Sequence, residues 1–175
     1  ISKTPYRISF FGGGTDYPSW YENYEGRVIS TTINKYLYIS SRYLPSFFKH
    51  KYRIAWSRIE ETQNIGQIKH NAVRAILNYL KNKKGLEIHY DGDLPARSGM
   101  GSSSCFVVGL LKALYELQNK KINKKFLASK SIFLEQVIMK EAVGSQDQIA
   151  ASYGGFNKII FKKNYFKVNR IGNKN

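Results

Sequence analysis

One cysteine, Cys105, stands in 175 residues. With no second thiol, an intrachain disulfide and any multi-cysteine metal site are excluded, which fits a reducing compartment. The three histidines, His50, His70 and His89, lie too far apart for a local HExxH-type metal site. No apolar run reaches bilayer length, and no charged n-region with a following apolar stretch marks a secretory signal. The expectation is a cytoplasmic protein with no membrane partner. Acidic residues are also scarce, 12 against 28 Lys and Arg for a formal charge of +16, and none follows Asp147. Such a field draws anions without choosing among nucleic acid, nucleotide and sugar phosphate. The basic residues are scattered, with neither zinc-finger spacing nor an arginine-rich arm, so no nucleic-acid partner is expected.

Bulky apolar side chains are plentiful: ten Phe, thirteen Tyr and two Trp fill a length suited to one ordinary domain. The run YRISFF at 6–11 reads as a strand ending at the triplet Gly12, Gly13 and Gly14. Residues 27–43 are rich in β-branched and aromatic types and supply one long strand or two, and 51–59 supply another. Val73, Ile76, Leu77 and Leu80 share one helical face, with Gly85 as the stop. Residues 86–90 alternate as a short strand. A second helix begins at the serines 102–104, with Phe106, Leu110, Ala113, Leu114 and Leu117 as its apolar stripe. A third covers 124–140 with Leu127, Leu134 and Ile138 on one side, and Glu135 falls on its surface. Residues 142–155 mix loop and helix, and 156–171 read as a hairpin turning near Lys163 and Asn164. Strands precede helices without a repeating βα unit, so the predicted class is α+β, a mixed sheet with packed helices.

The stretch LPARSGMGSSSC at 94–105 crowds small residues and hydroxyls between a proline and an apolar run. It suits a plain loop, a helix cap or a phosphate cradle. At a helix start the first-turn amides lack intrahelical partners and form the positive end of the dipole, and glycines leave that backbone open to a phosphate. No lysine follows the glycines, so the GxxxxGK[ST] mechanism is excluded. Two further segments add chemistry. PYRISFFGGGTDYP carries Arg7 and Asp16, and VGSQDQIAASYGG carries Asp147. Backbone and metal charge around a migrating phosphoryl group, with a carboxylate for the proton of the attacking hydroxyl, are the parts of a phosphoryl transfer site.

Together these segments resemble the GHMP kinase superfamily. Pro95, Gly99, Met100, Gly101, Ser102, Ser103 and Ser104 fall into the places of its central PxxxGLGSSA motif, with Met for Leu and Ser for the final Ala. FGGGTDYPSW followed by LPARSGMGSSSC is most similar to the bacterial heptose-phosphate kinase branch. The resemblance implies the ribosomal protein S5 domain 2-like fold and an ATP- and Mg²⁺-dependent sugar-phosphate kinase. Its substrate would be D-glycero-D-manno-heptose 7-phosphate, phosphorylated at the anomeric hydroxyl to the 1,7-bisphosphate for lipopolysaccharide, capsule or surface-layer glycans.

Carried over by residue, the resemblance implies that Gly99–Ser104 wrap the ATP phosphates, with Pro95, Arg97 and Ser98 leading into them. Ser103, or its neighbour Ser102, and Glu135 hold Mg²⁺. Asp147 takes the hydroxyl proton, while Arg7 keeps it ionised with a lowered pKa and stabilises the developing phosphoryl charge. Gly12, Gly13, Gly14, Thr15 and Asp16 line the sugar site. Galactokinases carry Glu and His where this chain has Gly13 and Gly14, which leaves room for a longer sugar. Lys35, Arg42, Lys51 and Arg53 are candidates for the sugar's own phosphate. The third family motif, in a C-terminal domain, is absent from this chain, so residues 1–175 are expected to be the N-terminal ATP-binding domain. Its uncovered face would be a route to a homodimer. The competing readings are another GHMP sugar kinase, for fucose or mannose, a non-catalytic nucleotide-binding domain, and a basic nucleic-acid module.

Overall fold

The computed structural model describes residues 1–95 and 98–172. Strands β1 (Ser2–Phe11), β2 (Gly26–Tyr43), β3 (Tyr52–Ala55), β4 (Ile59–Thr62), β5 (Leu86–Gly92), β6 (Phe156–Lys162) and β7 (Tyr165–Arg170) form one sheet. Its order is β4-β3-β5-β2-β6-β7, with β1 also on β2. Among the described residues only β3 and β5 run parallel, so the sheet is mixed. The 18-residue β2 organises it, pairing with β6 through 26–31, with β5 through 37–43 and with β1 along its middle.

The helices are α1 (Pro18–Tyr21), α2 (Asn71–Tyr79), α3 (Ser102–Leu117), α4 (Lys124–Phe133) and α5 (Gln146–Tyr153), with a π-helical turn at Leu134–Ile138 and a 3₁₀ turn at Ile65–Gln67. Alternation along β1 buries Ser2, Thr4 and Tyr6, and the same period buries Leu37 and Ile39 on β2. This face packs on Ile76 and Leu77 of α2 and on Leu110, Leu111 and Leu114 of α3, making the main core. Truncating one of these fully buried side chains to Ala costs about 2–5 kcal/mol. A smaller core joins Val28, Ile159 and Phe161 to Ala128 of α4 and Ile149 of α5. Helix α3 lies close enough to β1 for Ser2 Oγ to donate to the Gly109 carbonyl at 2.8 Å.

Several expectations are corrected. Residues 51–59 are not one strand, because the turn at 56–58 folds them into the β3–β4 hairpin. Helix α2 stops before Gly85. Lys81, at φ 49°, breaks it, and the Asn82 amide bonds back to Leu77. The helix predicted over 124–140 changes pitch at Leu134. That rotation leaves Ile138 43% exposed and turns Glu135 inward until it is fully buried, so it is not a surface residue. The segment 142–155 resolves into α5, and the final hairpin turns where predicted, with Asn164 at φ 59°. Among the described residues no helix is long and apolar enough to cross a membrane.

Candidate active site

Helix α3 starts at the serine cluster, yet no serine caps it. Its N-cap is Gly101, in the left-handed region at φ 77°, so Ser102, Ser103 and Ser104 form the first helical turn. The ladder opens with the Cys105 amide on the Gly101 carbonyl at 2.9 Å. Ser102 is half-buried, Ser103 exposed and Ser104 buried. Pro95 and Gly99 are exposed, Met100 packs against the core, and the Ser98 hydroxyl is buried without a partner among the described residues. Arg97 lies outside the described residues.

Gly101 is also a point of close approach. A Cβ built there would lie 3.1 Å from Asp147 Oδ2 and 3.5 Å from Arg7 Cγ. Arg7 occupies β1 where the register with β2 shifts between Pro5 and Arg7, an irregularity of the kind that re-aims a side chain. Its Nε donates to Asp147 Oδ1 at 2.6 Å and its Nη2 to Oδ2 at 2.9 Å. The remaining nitrogen, Nη1, donates to the Gly99 carbonyl at 2.8 Å, and the Arg7 amide donates to Met100 at 3.2 Å. One arginine therefore ties the glycine turn to the carboxylate. Asp147 lies in the first turn of α5, where the dipole favours a negative charge. Burial nevertheless raises its pKa, opposed by the charge and hydrogen bonds of Arg7 and aided by the nearby charge of Asp16. The sequence expectation of a lowered pKa is corrected: desolvation outweighs the arginine.

Asp16 is 1% exposed. Its carboxylate accepts from the amides of Gly14 and Gln146, each at 3.1 Å, and its carbonyl accepts from Ser145 at 2.9 Å. It thus caps α5 across 130 residues of chain and fixes the helix that presents Asp147. The preceding Gly144 must be glycine, since a Cβ there would fall 1.9 Å from Asp16 Oδ2. Thr15 closes the glycine turn by donating to the Gly12 carbonyl at 2.7 Å and accepting from the Arg27 amide at 3.0 Å. A Cβ built on Gly13 would lie 3.9 Å from Gln146 Nε2, in ordinary van der Waals contact.

Glu135 meets α3 from the other side. Ser104 Oγ lies 3.1 and 3.0 Å from its two oxygens, and Gln148 Nε2 donates to Oε2. Burial raises its pKa to about 7 despite these hydrogen bonds. The serine that stands in place of the motif's final Ala is the one that touches Glu135. The carbonyl oxygen of Gln148 is buried without a partner among the described residues. Glycine turn, free helix amides, a clamped aspartate and a buried glutamate thus converge at one end of α3, an arrangement able to hold a polyanion beside a proton acceptor. Residues 68–155 match the family described as GHMP kinases N terminal domain.

The chain belongs to the GHMP kinases. Among curated GHMP relatives, it is 29% identical over 172 residues to a D-glycero-alpha-D-manno-heptose 7-phosphate kinase of Campylobacter jejuni, covering 93% of this chain and 51% of that protein. It is 28% identical over 168 residues to a galactokinase of Pyrococcus furiosus, covering 91% of this chain and 45% of the other. Among solved structures, a D-glycero-D-manno-heptose 1-phosphate kinase from Bacteroides thetaiotaomicron superposes with a TM-score of 0.86 at 27% identity, over 99% of this chain and 60% of its own. The chain spans about half the length of the curated relatives it matches.

Within this GHMP kinase domain the two arginines predicted for the sugar phosphate, Arg42 and Arg53, are not brought to the site. Arg42 and Arg53 both pair with Glu87, at 2.5 and 2.6 Å. Arg42 sits ten residues along β2 from Thr32, the partner of Arg7, which at about 3.3 Å per residue is roughly 33 Å away. Lys51 lies beside β3, and Lys35 is exposed on β2. Sequence reasoning missed Gln148, Ser145 and Gly144. The one signal for this cluster is Glu135 itself, an ionisable residue inside the apolar run IFLEQVIM.

Proposed function

We propose that this chain carries the phosphate-gripping half of a sugar-phosphate kinase. The reaction is transfer of the γ-phosphoryl group of ATP to the anomeric hydroxyl of D-glycero-D-manno-heptose 7-phosphate, giving the 1,7-bisphosphate. The observation that carries the reading is the two-point clamp of Arg7 on Asp147 directly against the Gly99–Gly101 turn. The heptose 7-phosphate kinase among the relatives supports the sugar.

The free amides of Gly101–Ser104 bind the phosphate chain, and Arg7 offsets the charge that develops on the moving group. As the hydroxyl oxygen bonds to the γ-phosphorus and the bond from that phosphorus to the bridging oxygen breaks to release ADP, Asp147 receives the hydroxyl proton. Burial strengthens this carboxylate as an acceptor while Arg7 keeps it ionised enough to act. Residues 12–16 supply the sugar wall, with Asp16 acting first as the anchor of α5. Glu135 and the exposed Ser103 hydroxyl would offer Mg²⁺ oxygen donors, which suit it because Mg²⁺ is commonly held by one or two carboxylates plus substrate phosphates; the serine in contact with Glu135 is Ser104. Bound there it would neutralise phosphate charge. The buried, unpartnered side-chain oxygen of Gln148 beside Glu135 supports this reading.

The test is ADP release with ATP and Mg²⁺ against heptose 7-phosphate, heptose 1-phosphate and free hexoses, with Asp147→Asn as control. Turnover confined to the 7-phosphate and lost in the variant supports the reading. Turnover on the 1-phosphate or a free hexose overturns the substrate, and failure to bind ATP overturns the reaction.

A further inference from the structure

Beside the segment that leads into Asp147 lies a hollow of about 330 Å³, and none of Arg7, Asp147 or the Gly99–Ser104 turn lines it. Its walls come from α1, α4, the π-helical turn and the β6–β7 hairpin. Tyr21 and Phe161 stack in it with centroids 5.8 Å apart and planes inclined by 19°, and Ile132 and Phe166 extend the apolar wall. A few hundred Å³ lined by aromatic groups, with a few converging polar atoms, is the usual make-up of a small-molecule site.

Among the polar side chains that line it, Gln136 and Ser145 are tied together. Gln136 Nε2 donates to Ser145 Oγ at 3.0 Å and to the Val143 carbonyl at 2.9 Å, and the Tyr21 hydroxyl stands 3.2 Å from the same Ser145 oxygen. Glu22, Lys125 and Lys162 line the hollow as charged groups. Lys162 pairs with Glu25 at 3.0 Å, and Glu25 also holds Arg27 at 2.5 Å. Three basic groups (Arg27, Lys125, Lys162) against two acidic ones (Glu22, Glu25) leave one positive charge uncompensated. Of the three basic groups Lys125 is the one with no carboxylate within salt-bridge distance among the described residues, and its ammonium sits 5.9 Å from the Tyr165 ring centre.

We propose that this pocket binds a small organic monoanion with a planar ring. The ring lies against Tyr21, Phe161 and Phe166, the acid group faces Lys125, and occupancy is felt at Asp147 through Ser145. The route is short. The Ser145 amide donates to the Asp16 carbonyl, the next amide donates to the Asp16 carboxylate, and Asp147 follows. Gln136 directly follows Glu135, so a ligand competing for its amide group loads both acidic residues of the active end. A coupling of this kind acts equally in both directions.

The test needs no kinase activity. The 175-residue chain is titrated with 8-anilinonaphthalene-1-sulfonate, a fused-ring monosulfonate, by fluorescence, and its amide resonances are followed in ¹⁵N–¹H spectra. Lys125→Glu, at an exposed position, is expected to weaken binding at least tenfold, as is Ile132→Trp, which fills the hollow. Phe11→Ser, which removes an apolar group 70% exposed elsewhere, should change it less than twofold. The amides of Gln136, Ser145 and Asp147 should shift together with one midpoint. Unchanged binding in Lys125→Glu, a large loss in Phe11→Ser, or no binding at all would overturn the site. Shifts at Ser145 that never reach Asp147 would overturn the coupling.

Discussion

Arg7 and Asp147, 140 residues apart in the chain, meet through two parallel hydrogen bonds of 2.6 and 2.9 Å, with side chains only 14% and 22% exposed. Replacing Arg7 by Met leaves the carboxylate in a dry site without a counter-charge, and breaking such a pair costs about 3 kcal/mol. Urea unfolding at pH 7 should register that loss. The deficit should narrow as pH falls, because a protonated Asp147 needs no partner. A deficit constant with pH would separate the two residues.

Asp147→Asn keeps the shape and removes the proton acceptor. In the proposed reaction, turnover should fall by about 10²–10⁴-fold, while ATP affinity measured by calorimetry changes little. An equal loss in both would make Asp147 a binding group only.

Glu135 should shape the pH dependence of stability. Its folded pKa of about 7 stands above the ordinary carboxylate value of 4.5. The folded state therefore holds a proton that the unfolded chain has released, and stability falls as pH rises from about 4.5 through 7. The total is on the order of 3 kcal/mol at about 1.4 kcal/mol per pKa unit. Glu135→Gln should flatten that fall in denaturation series at pH 5 and pH 8.

Glu87 predicts the opposite slope. Burial alone would raise its pKa, but hydrogen bonds from His89, Arg42 and Arg53 together hold it at about 2. Its contribution is present above pH 4.5 and is lost as pH falls from there toward 2. Since the Arg42 arm is 61% exposed, solvent screening limits the loss in Glu87→Gln to about 1–2 kcal/mol. The acid limb of a thermal stability profile would report it.

Gly144→Ala should be far more damaging than its size suggests. The new methyl would occupy the Asp16 carboxylate, whereas Gly66→Ala meets nothing within 4 Å. We expect Gly144→Ala to lower the melting temperature and broaden the Asp147 amide resonance. Gly66→Ala should leave both unchanged, and matched melts of the two variants decide it.

The sheet and main helices were legible because their signals are local. Alternation in β1 and β2 and the apolar stripe of α3 need no partner to be read. Arg7, Asp147 and the glycine turns were legible through wording shared with a family. The inward turn of Glu135 was not, because it depends on a change of helical pitch that residue spacing assumes away. The cap that Asp16 places on α5 was equally hidden, since it joins positions 130 residues apart. Two of the four candidates for the substrate phosphate, Arg42 and Arg53, failed for a plainer reason: a charge count carries no direction, and both were already committed to Glu87.

The π-helical turn makes neighbours of two rooms. Glu135 opens toward the end of α3, and Gln136, one peptide later, opens into the aromatic hollow. A wall one residue thick depends on the extra residue that the wide turn accommodates. Deleting the codon for Val137 or Ile138 would take the extra residue out of the wide turn and restore regular pitch across it. Such a frame-preserving lesion would remove neither Glu135 nor Gln136, yet would re-aim both, which makes the length of this turn as much a determinant of the protein as any side chain in it.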